Sequence, residues 1–444
     1  MSSIRRTQNI RRLSTIVASA RGLTQSPVLP AIVLSGCLLV RAQAPPVERI
    51  SLDQAIQLAL AHNHSLQAAQ TQVAQSRAQE ITARLRPNPL LSADDSFIPV
   101  FSPYVFSLPS SQNPLPQEFD IGVSYLIERG GKRQARTQAA RDQTAVVESA
   151  VTDAQRRLIA NVAQQFIAAL LARSNLEFAQ QNLASFQQTV HLSELRKQAG
   201  DISQNDLLRI KIQLLQFQMD VSAAQISHVQ ALGSLRQLLG FESAPERYDV
   251  AGELVYIPFQ LDKSQLQAMA LDHRPDLAAS TKGVTSAESQ YRLAKANAKR
   301  DLTVSWQFSH VAGVNSADFG TNIEIPIFTR NQGEIARTRY AIDQSQQLRT
   351  ATQETVLTEV SNAYESLNTS AQIMALYQSG YLAQAEESMQ ISEFAYNHGA
   401  ASLLDFLDAQ RSYRSVQLNY RQGLANCMLA LEQLRQAVGN RNLP

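Results

Sequence analysis

Two carboxylates, Asp405 and Asp408, stand three residues apart shortly after Gly399, in a stretch that reads as the start of a helix. At that spacing both project from one helix face, a patch of negative charge suited to attracting cations. The plainer reading is that two acidic side chains in the first turns of a helix satisfy its positive end. Other chemistry is scarce. The chain has no nucleophile elbow, no Gly-rich phosphate loop, no HExxH and no Cys cluster. The seven His are scattered, and His62 and His64 are two residues apart, on different sides of a helix, as surface residues rather than ligands. The six Met form no stripe. No catalytic residue, metal site or cofactor is expected, and the chain does not read as an enzyme.

The formal charge of +2 misleads, because six of the 40 basic residues lie in the first 42 positions and none of the acidic ones does. The mature chain carries 34 basic against 38 acidic groups, so nothing is built to neutralise phosphates and no nucleic-acid partner is expected. The N-terminus, with Arg5, Arg6, Arg11, Arg12 and Arg21 followed by the apolar run 28–40, reads as an export signal. Two processing outcomes fit it. Cleavage after Ala42 makes 1–42 a signal peptide, whereas Leu34-Ser35-Gly36-Cys37 has the pattern for lipid attachment to Cys37. Three apolar residues following Cys37 favour simple cleavage. Cys37 and Cys427 are the only cysteines, so the processed chain forms no intramolecular disulfide and relies on packing.

The elements that must position Asp405 and Asp408 come from a tandem duplication. The segment 59–66 resembles 270–277. Gly200, Asp206 and Leu207-Leu208 lie 199 residues before Gly399, Asp405 and Phe406-Leu407, and 235–240 lies 199 before 434–439. The repeats are 43–240 and 261–444, joined by a linker over 241–260 that contains Pro245 and Pro258. Each reads as a helix, a strand pair, a very long helix, a Gly-containing break and another long helix. The first gives 51–85, 90–127, 132–198, 199–202 and 203–239; the second gives 262–298, 301–328, 333–397, 398–401 and 402–438.

Apolar residues in the long helices recur at spacings of three and four: Ile159, Ala163, Phe166 and Leu170; Leu208, Ile212, Leu215 and Met219; Leu357, Val360, Tyr364 and Leu367. That is a coiled-coil seam. A helix of about 65 residues rises on the order of 100 Å, more than a compact domain holds. The strand segments have period two instead. Phe119, Ile121, Val123, Tyr125 and Ile127 alternate with polar or small residues, as do Leu302, Val304, Trp306 and Phe308, and Phe319, Ile323, Ile325 and Ile327. The stretch 90–108 is less regular, although Tyr104, Phe106 and Leu108 alternate.

One apolar and one polar face is what a membrane barrel strand needs, although strands of a soluble domain capping a coiled coil share the pattern. No mature segment approaches the roughly 20 apolar residues of a membrane helix. A chain with about four such strands cannot close a barrel alone, since the smallest have about eight, so a membrane role requires oligomerisation.

The duplicated order, the strand pairs and the turn motifs resemble the TolC family of outer-membrane efflux proteins over residues 48–440, and within it the CzcC-like branch that serves cation pumps of the resistance-nodulation-division type. The motifs are Arg86-Pro87-Asn88-Pro89, Gly130-Gly131-Lys132-Arg133, 325–333 and 399–410. The resemblance implies a mostly α fold with a small β part. Duplicated helical hairpins form an α-barrel across the periplasm, and four strands per protomer enter a trimeric twelve-stranded barrel in outer-membrane lipid. It implies a homotrimeric exit duct that passively conducts metal cations or drugs from periplasm to exterior, served by a periplasmic adaptor and an inner-membrane resistance-nodulation-division or ABC pump, with swivels near 86–89 and 326–333. It also makes Asp405 and Asp408 a ring of carboxylates at the gate, Gly200 and Gly399 the tip turns, and Asp206 and Tyr396 members of the network that locks the tip. Ala401 departs from the family pattern. An Arg is expected there, so the family's locking salt bridge cannot form in its usual way. A duct for type I protein secretion uses the same fold, and a soluble periplasmic coiled-coil adaptor would share the seams but not the strands.

Overall fold

The computed structural model describes residues 48–96, 118–260, 262–311 and 314–443. The segment 1–42 with Cys37, and the alternation at Tyr104, Phe106 and Leu108, lie outside the described residues. The first repeat contains β1 (Glu48–Ile50), α1 (Leu52–His62), α2 (His64–Arg84), β2 (Leu90–Ser96), β3 (Glu118–Ile127), α3 (Lys132–Ala199) and α4 (Gln204–Leu239). After β4 (Tyr248–Val250) the second repeat gives α5 (Lys263–His273), α6 (Pro275–Asn297), β5 (Leu302–Val311), β6 (Val314–Ile323), α7 (Gln332–Leu376), α8 (Leu382–Asn397) and α9 (Leu403–Val438). At 68 residues, α3 is about 100 Å long. Among the described residues no helix is long and apolar enough to cross a membrane.

Four features differ from the sequence reading. The helices expected over 51–85 and 262–298 are each broken in two, at Asn63 and Arg274, which both adopt extended backbone. These breaks are equivalent. The Asn63 side chain donates to the carbonyl of Leu238 at 2.9 Å and Arg274 donates to that of Ala437 at 3.0 Å, so each break residue caps the end of the last helix in its own repeat. The helix expected over 333–397 is interrupted by a π-helical turn, Tyr377–Tyr381, in which Gly380 has φ 117°, open to glycine but strained for other residues. The linker contains β4, which pairs in parallel with β1 and buries Tyr248 and Val250 in the core, so it is a structural strut. Finally, β6 ends at Ile323, and Ile325 and Ile327 fall in the connection to α7 because Pro326 has no N–H for a ladder.

The coiled-coil seams are only partly internal. Ala163, Phe166 and Leu170 on α3 and Val360 and Leu367 on α7 are buried. The α4 stripe is not: Leu208, Ile212, Leu215 and Met219 are 50% to 70% exposed, and it continues at Ile226 and Val229. A different face, Leu207, Ile210, Phe217, Leu235 and Leu239, packs inward. The helix carries two apolar stripes, and the chain itself covers one of them.

The remaining strands form an antiparallel sheet in the order β2-β3-β5-β6. The central pairing, from Glu118↔Val311 to Ile127↔Leu302, joins the two repeats. Register places Val123, Trp306 and Phe319 side by side on one face, and Gly122, Gln307 and Asp318 on the other. Each repeat has its own helical core, one around Val162, Phe166 and Leu235, the other around Val356, Val360 and Leu434.

Cys427 is buried beside Met374 and Leu424, and burial pushes its thiol up to about 11. Little thiolate forms at neutral pH. The folded protein is therefore expected to leave the Cys427 peptide unlabelled by N-ethylmaleimide at pH 7 and to label it fully after denaturation, as peptide mass spectrometry reads.

Candidate functional site

The two hairpin tips share one local design, written as Gly200, Ser203 and Asp206 in the first repeat and Gly399, Ser402 and Asp405 in the second. Gly200 (φ 90°) and Gly399 (φ 73°) end their helices in the left-handed conformation, and a side chain at either would meet nothing within 4 Å. Backbone conformation, not space, calls for glycine there. The amides of Asp201 and Ala400 then donate back to Arg196 and Ala395 at 2.9 and 2.8 Å. Ser203 and Ser402 cap the following helices, accepting from the amides of Asp206 and Asp405.

Those bonds locate the carboxylates. Asp405 Oδ2 accepts from the Ser402 hydroxyl at 2.7 Å and the Ser402 amide at 3.2 Å, so Asp405 does perform the capping role of the plainer reading while staying exposed. Asp206 accepts from the Ser203 hydroxyl at 2.7 Å. Asp408 is one turn further along α9, exposed, with Arg411 at 3.3 Å. Both partners are open to water, so the pair neutralises Asp408 weakly. Duplication does not repeat the second carboxylate, because Arg209 stands 199 residues before Asp408.

Above the turns a buried cluster ties the hairpins together: Phe186 and Val190 of α3, Ile210 and Phe217 of α4, Tyr396 of α8, and Leu403 and Phe406 of α9. Tyr396 and Phe406 stack with centroids 5.2 Å apart, and Phe186 and Phe217 at 4.6 Å. The Tyr396 hydroxyl is buried and has no hydrogen-bond partner among the described residues, so it does not bond Asp206 in this chain. Two contacts escaped the sequence reading. Arg196 of α3 lies 5.2 Å from the centre of the Tyr396 ring and donates to its carbonyl at 3.1 Å. Arg414 of α9 pairs with Asp220 and covers the Phe217 ring at 4.5 Å. Both are arginine-on-aromatic contacts across hairpins, which no periodicity within one helix reveals.

At the opposite end, Gly131 (φ 75°) and Asn331 (φ 60°) turn strand into long helix at matching points of the repeats. Lys132 bonds Asp301 at 2.7 Å, joining the repeats there. Burial would raise the Asp301 carboxyl, but Lys132 and the Arg129 amide hold it below the usual range. His62 and His64 are exposed, and among the described residues no group of three or more His, Cys, Asp or Glu gathers to hold a metal.

A model of one family, described as outer membrane efflux protein, matches residues 55–241 and 266–440. The chain belongs to that family. The outer membrane efflux proteins similar to it include the cobalt-zinc-cadmium resistance protein CzcC of Cupriavidus metallidurans, 24% identical over 91% of this chain and 90% of that one. The cation efflux system protein CusC of Escherichia coli K12 is 26% identical over 80% of this chain and 79% of that one. The pyoverdine export outer membrane protein OpmQ of Pseudomonas putida is 26% identical over 85% and 84%. Among solved structures, CusC superposes with a TM-score of 0.72 at 22% identity over 88% of this chain and 92% of that one. The open-state MtrE channel of Neisseria gonorrhoeae gives 0.71 at 20% over 88% and 89%. The fold is therefore that of TolC-like α-barrel channels with a β-barrel contribution, and the family consists of outer-membrane efflux channels rather than enzymes or soluble adaptors.

Proposed function

We propose that three copies of this outer membrane efflux protein assemble into one exit duct for metal cations, fed through a periplasmic adaptor by an inner-membrane resistance-nodulation-division pump. The observation that carries the proposal is the four-stranded sheet, with one apolar face, one polar face and two open edges, β2 and β6. Unpaired backbone is not tolerated in lipid, and the smallest barrels have about eight strands. Three copies would supply twelve. The exposed α4 stripe supports the same assembly, since a neighbouring protomer would cover it.

In this arrangement the tips meet around the axis at the periplasmic end, and Asp405 and Asp408 line a narrow ring that selects cations. Without an Arg at 401, Arg196 serves as the tie that holds α3 and α8 together at the tip. The cargo follows from relatives named for cobalt-zinc-cadmium resistance and cation efflux.

Purified protein reconstituted in planar bilayers is expected to run as a cross-linkable trimer and conduct with cation preference. Deleting its gene should lower tolerance to divalent transition metals. A water-soluble monomer without conductance would end the duct reading, and unchanged metal tolerance would end the cargo assignment.

A further inference from the structure

The junction between sheet and helices has a charge unlike the rest of the chain. Its four segments, 84–90, 127–136, 295–301 and 324–339, hold twelve Lys and Arg against four Asp and Glu, whereas the remainder of the mature chain holds 22 against 34. All four acids are already engaged: Glu128 with Arg136 at 2.6 Å, Asp301 with Lys132 at 2.7 Å, Glu324 with Arg300 at 3.0 Å and Glu334 with Arg337 at 2.6 Å. Arg84, Arg86, Arg129, Lys295, Lys299 and Arg330 are exposed. None of the six has a carboxylate partner among the described residues, which contain every Asp and Glu of the chain. Interleaved with these cations are exposed apolar side chains, Leu85, Ile325, Ile327 and Phe328, the last 88% exposed.

We infer that this junction is a collar that binds anionic phospholipid headgroups in the leaflet from which the helices emerge. The inference rests on the barrel reading of the sheet and adds a ligand to it. Ile323 belongs to the apolar face of the sheet, and Ile325, Ile327 and Phe328 carry that surface just past its end, to the depth where hydrocarbon gives way to headgroups. At that depth an unpaired guanidinium meets phosphodiester oxygens, which it grips with two parallel hydrogen bonds. Basic residues next to an anionic leaflet each add attraction that fades within a Debye length. Duplication builds the patch twice in each protomer, once at 84–90 with 127–136 and once at 295–301 with 324–339. The acidic residues Asp94, Asp95, Glu118 and Asp120 lie in register at the other end of the sheet and Asp318 at mid-strand, so the strand residues nearest the junction carry no acid.

The test uses the full-length protein reconstituted in phosphatidylcholine vesicles doped with spin-labelled phosphatidylglycerol or spin-labelled phosphatidylcholine. Electron spin resonance reads the fraction of each label immobilised by the protein. The expected preference for phosphatidylglycerol is about threefold or more. It should fall towards one in the Arg84→Gln, Arg86→Gln, Arg129→Gln, Arg330→Gln variant, and in the unaltered protein at about 1 M salt. Equal immobilisation of both labels by the unaltered protein overturns the inference, as does a preference insensitive to both salt and the substitutions. A collar that serves a protein partner instead would give that equal result. Conductance measured on the same vesicles separates the two claims, because a conducting protein without lipid preference leaves the duct standing and removes the collar.

Discussion

Replacing Arg274 with alanine is expected to cost about 3 kcal/mol of stability, the lower part of the range for removing one partner from a buried ion pair. Arg274 is 2% exposed in its side chain and occupies the break between α5 and α6. Its guanidinium bonds Asp276 at 2.9 and 2.5 Å, Glu359 at 2.5 Å and the Ala437 carbonyl at 3.0 Å. One side chain thus ties α6, α7 and the end of α9. Burial works against its charge, but the bonds to Asp276 and Glu359 outweigh that and hold it protonated above the ordinary arginine value. Glu359 is half exposed and contributes little; most of the loss comes from stranding Asp276 and the carbonyl. Lysine should not rescue, because a single ammonium lacks the planar fork that spans these acceptors.

The same cluster sets a pH dependence. Burial alone would raise the Asp276 carboxyl, but Arg274 holds it below the usual carboxylate range. A depressed folded value contributes stability that is complete above the unfolded value of about 3.9 and is lost as pH falls through the folded one. Denaturant titration followed by helical circular dichroism should show the variant weakened at pH 7 and the difference shrinking below about pH 4. A loss under about 1 kcal/mol at pH 7 would mean the network is not what holds this region.

Neutralising the tip carboxylates, Asp405→Asn with Asp408→Asn, is expected to lower the cation-over-anion permeability ratio of the reconstituted channel by about threefold or more. The two residues should not contribute equally. Asp405 is bonded by neutral donors of Ser402 and is matched by Asp206 in the other repeat, whereas Asp408 is matched there by Arg209, whose opposite charge works against it. Asp405→Asn alone should therefore produce most of the change. Asparagine still accepts from Ser402, so the helix cap and the fold survive the substitution. Reversal potentials in a salt gradient read the ratio, and unchanged potentials would remove the ring assignment.

Much of this was legible one residue at a time. The glycines of the tips announced both breaks, since glycine after a long helix is a signal that acts within a few residues; Ser-x-x-Asp before the next helix is equally local, yet the Ser203 and Ser402 caps were not read from it. Period two in 119–127 and 302–308 marked β3 and β5 for the same reason. The break at Asn63 was hidden because no helix breaker stands there, whereas that at Arg274 carried a local sign that the reading passed over, Pro275, which disfavours helical backbone at the residue before it and opens α6. Each residue leaves the helix to cap a partner more than 150 residues away, Leu238 or Ala437. The interruption at Gly380 carried a local sign, a glycine in an otherwise uninterrupted helical pattern, but glycine inside a helix is often tolerated.

By itself the sequence determined the duplication, the long helices, the tip turns and the two-faced strands, because each follows from contacts between near neighbours or from a repeated pattern. Only the tertiary structure decided which apolar stripe of α4 faces inward, that Arg196 of α3 reaches Tyr396 of α8, and that the junction's few acids are all taken. Those outcomes depend on which surfaces meet, and a helix with two apolar faces or an arginine with several reachable partners does not specify that until the other elements are in place.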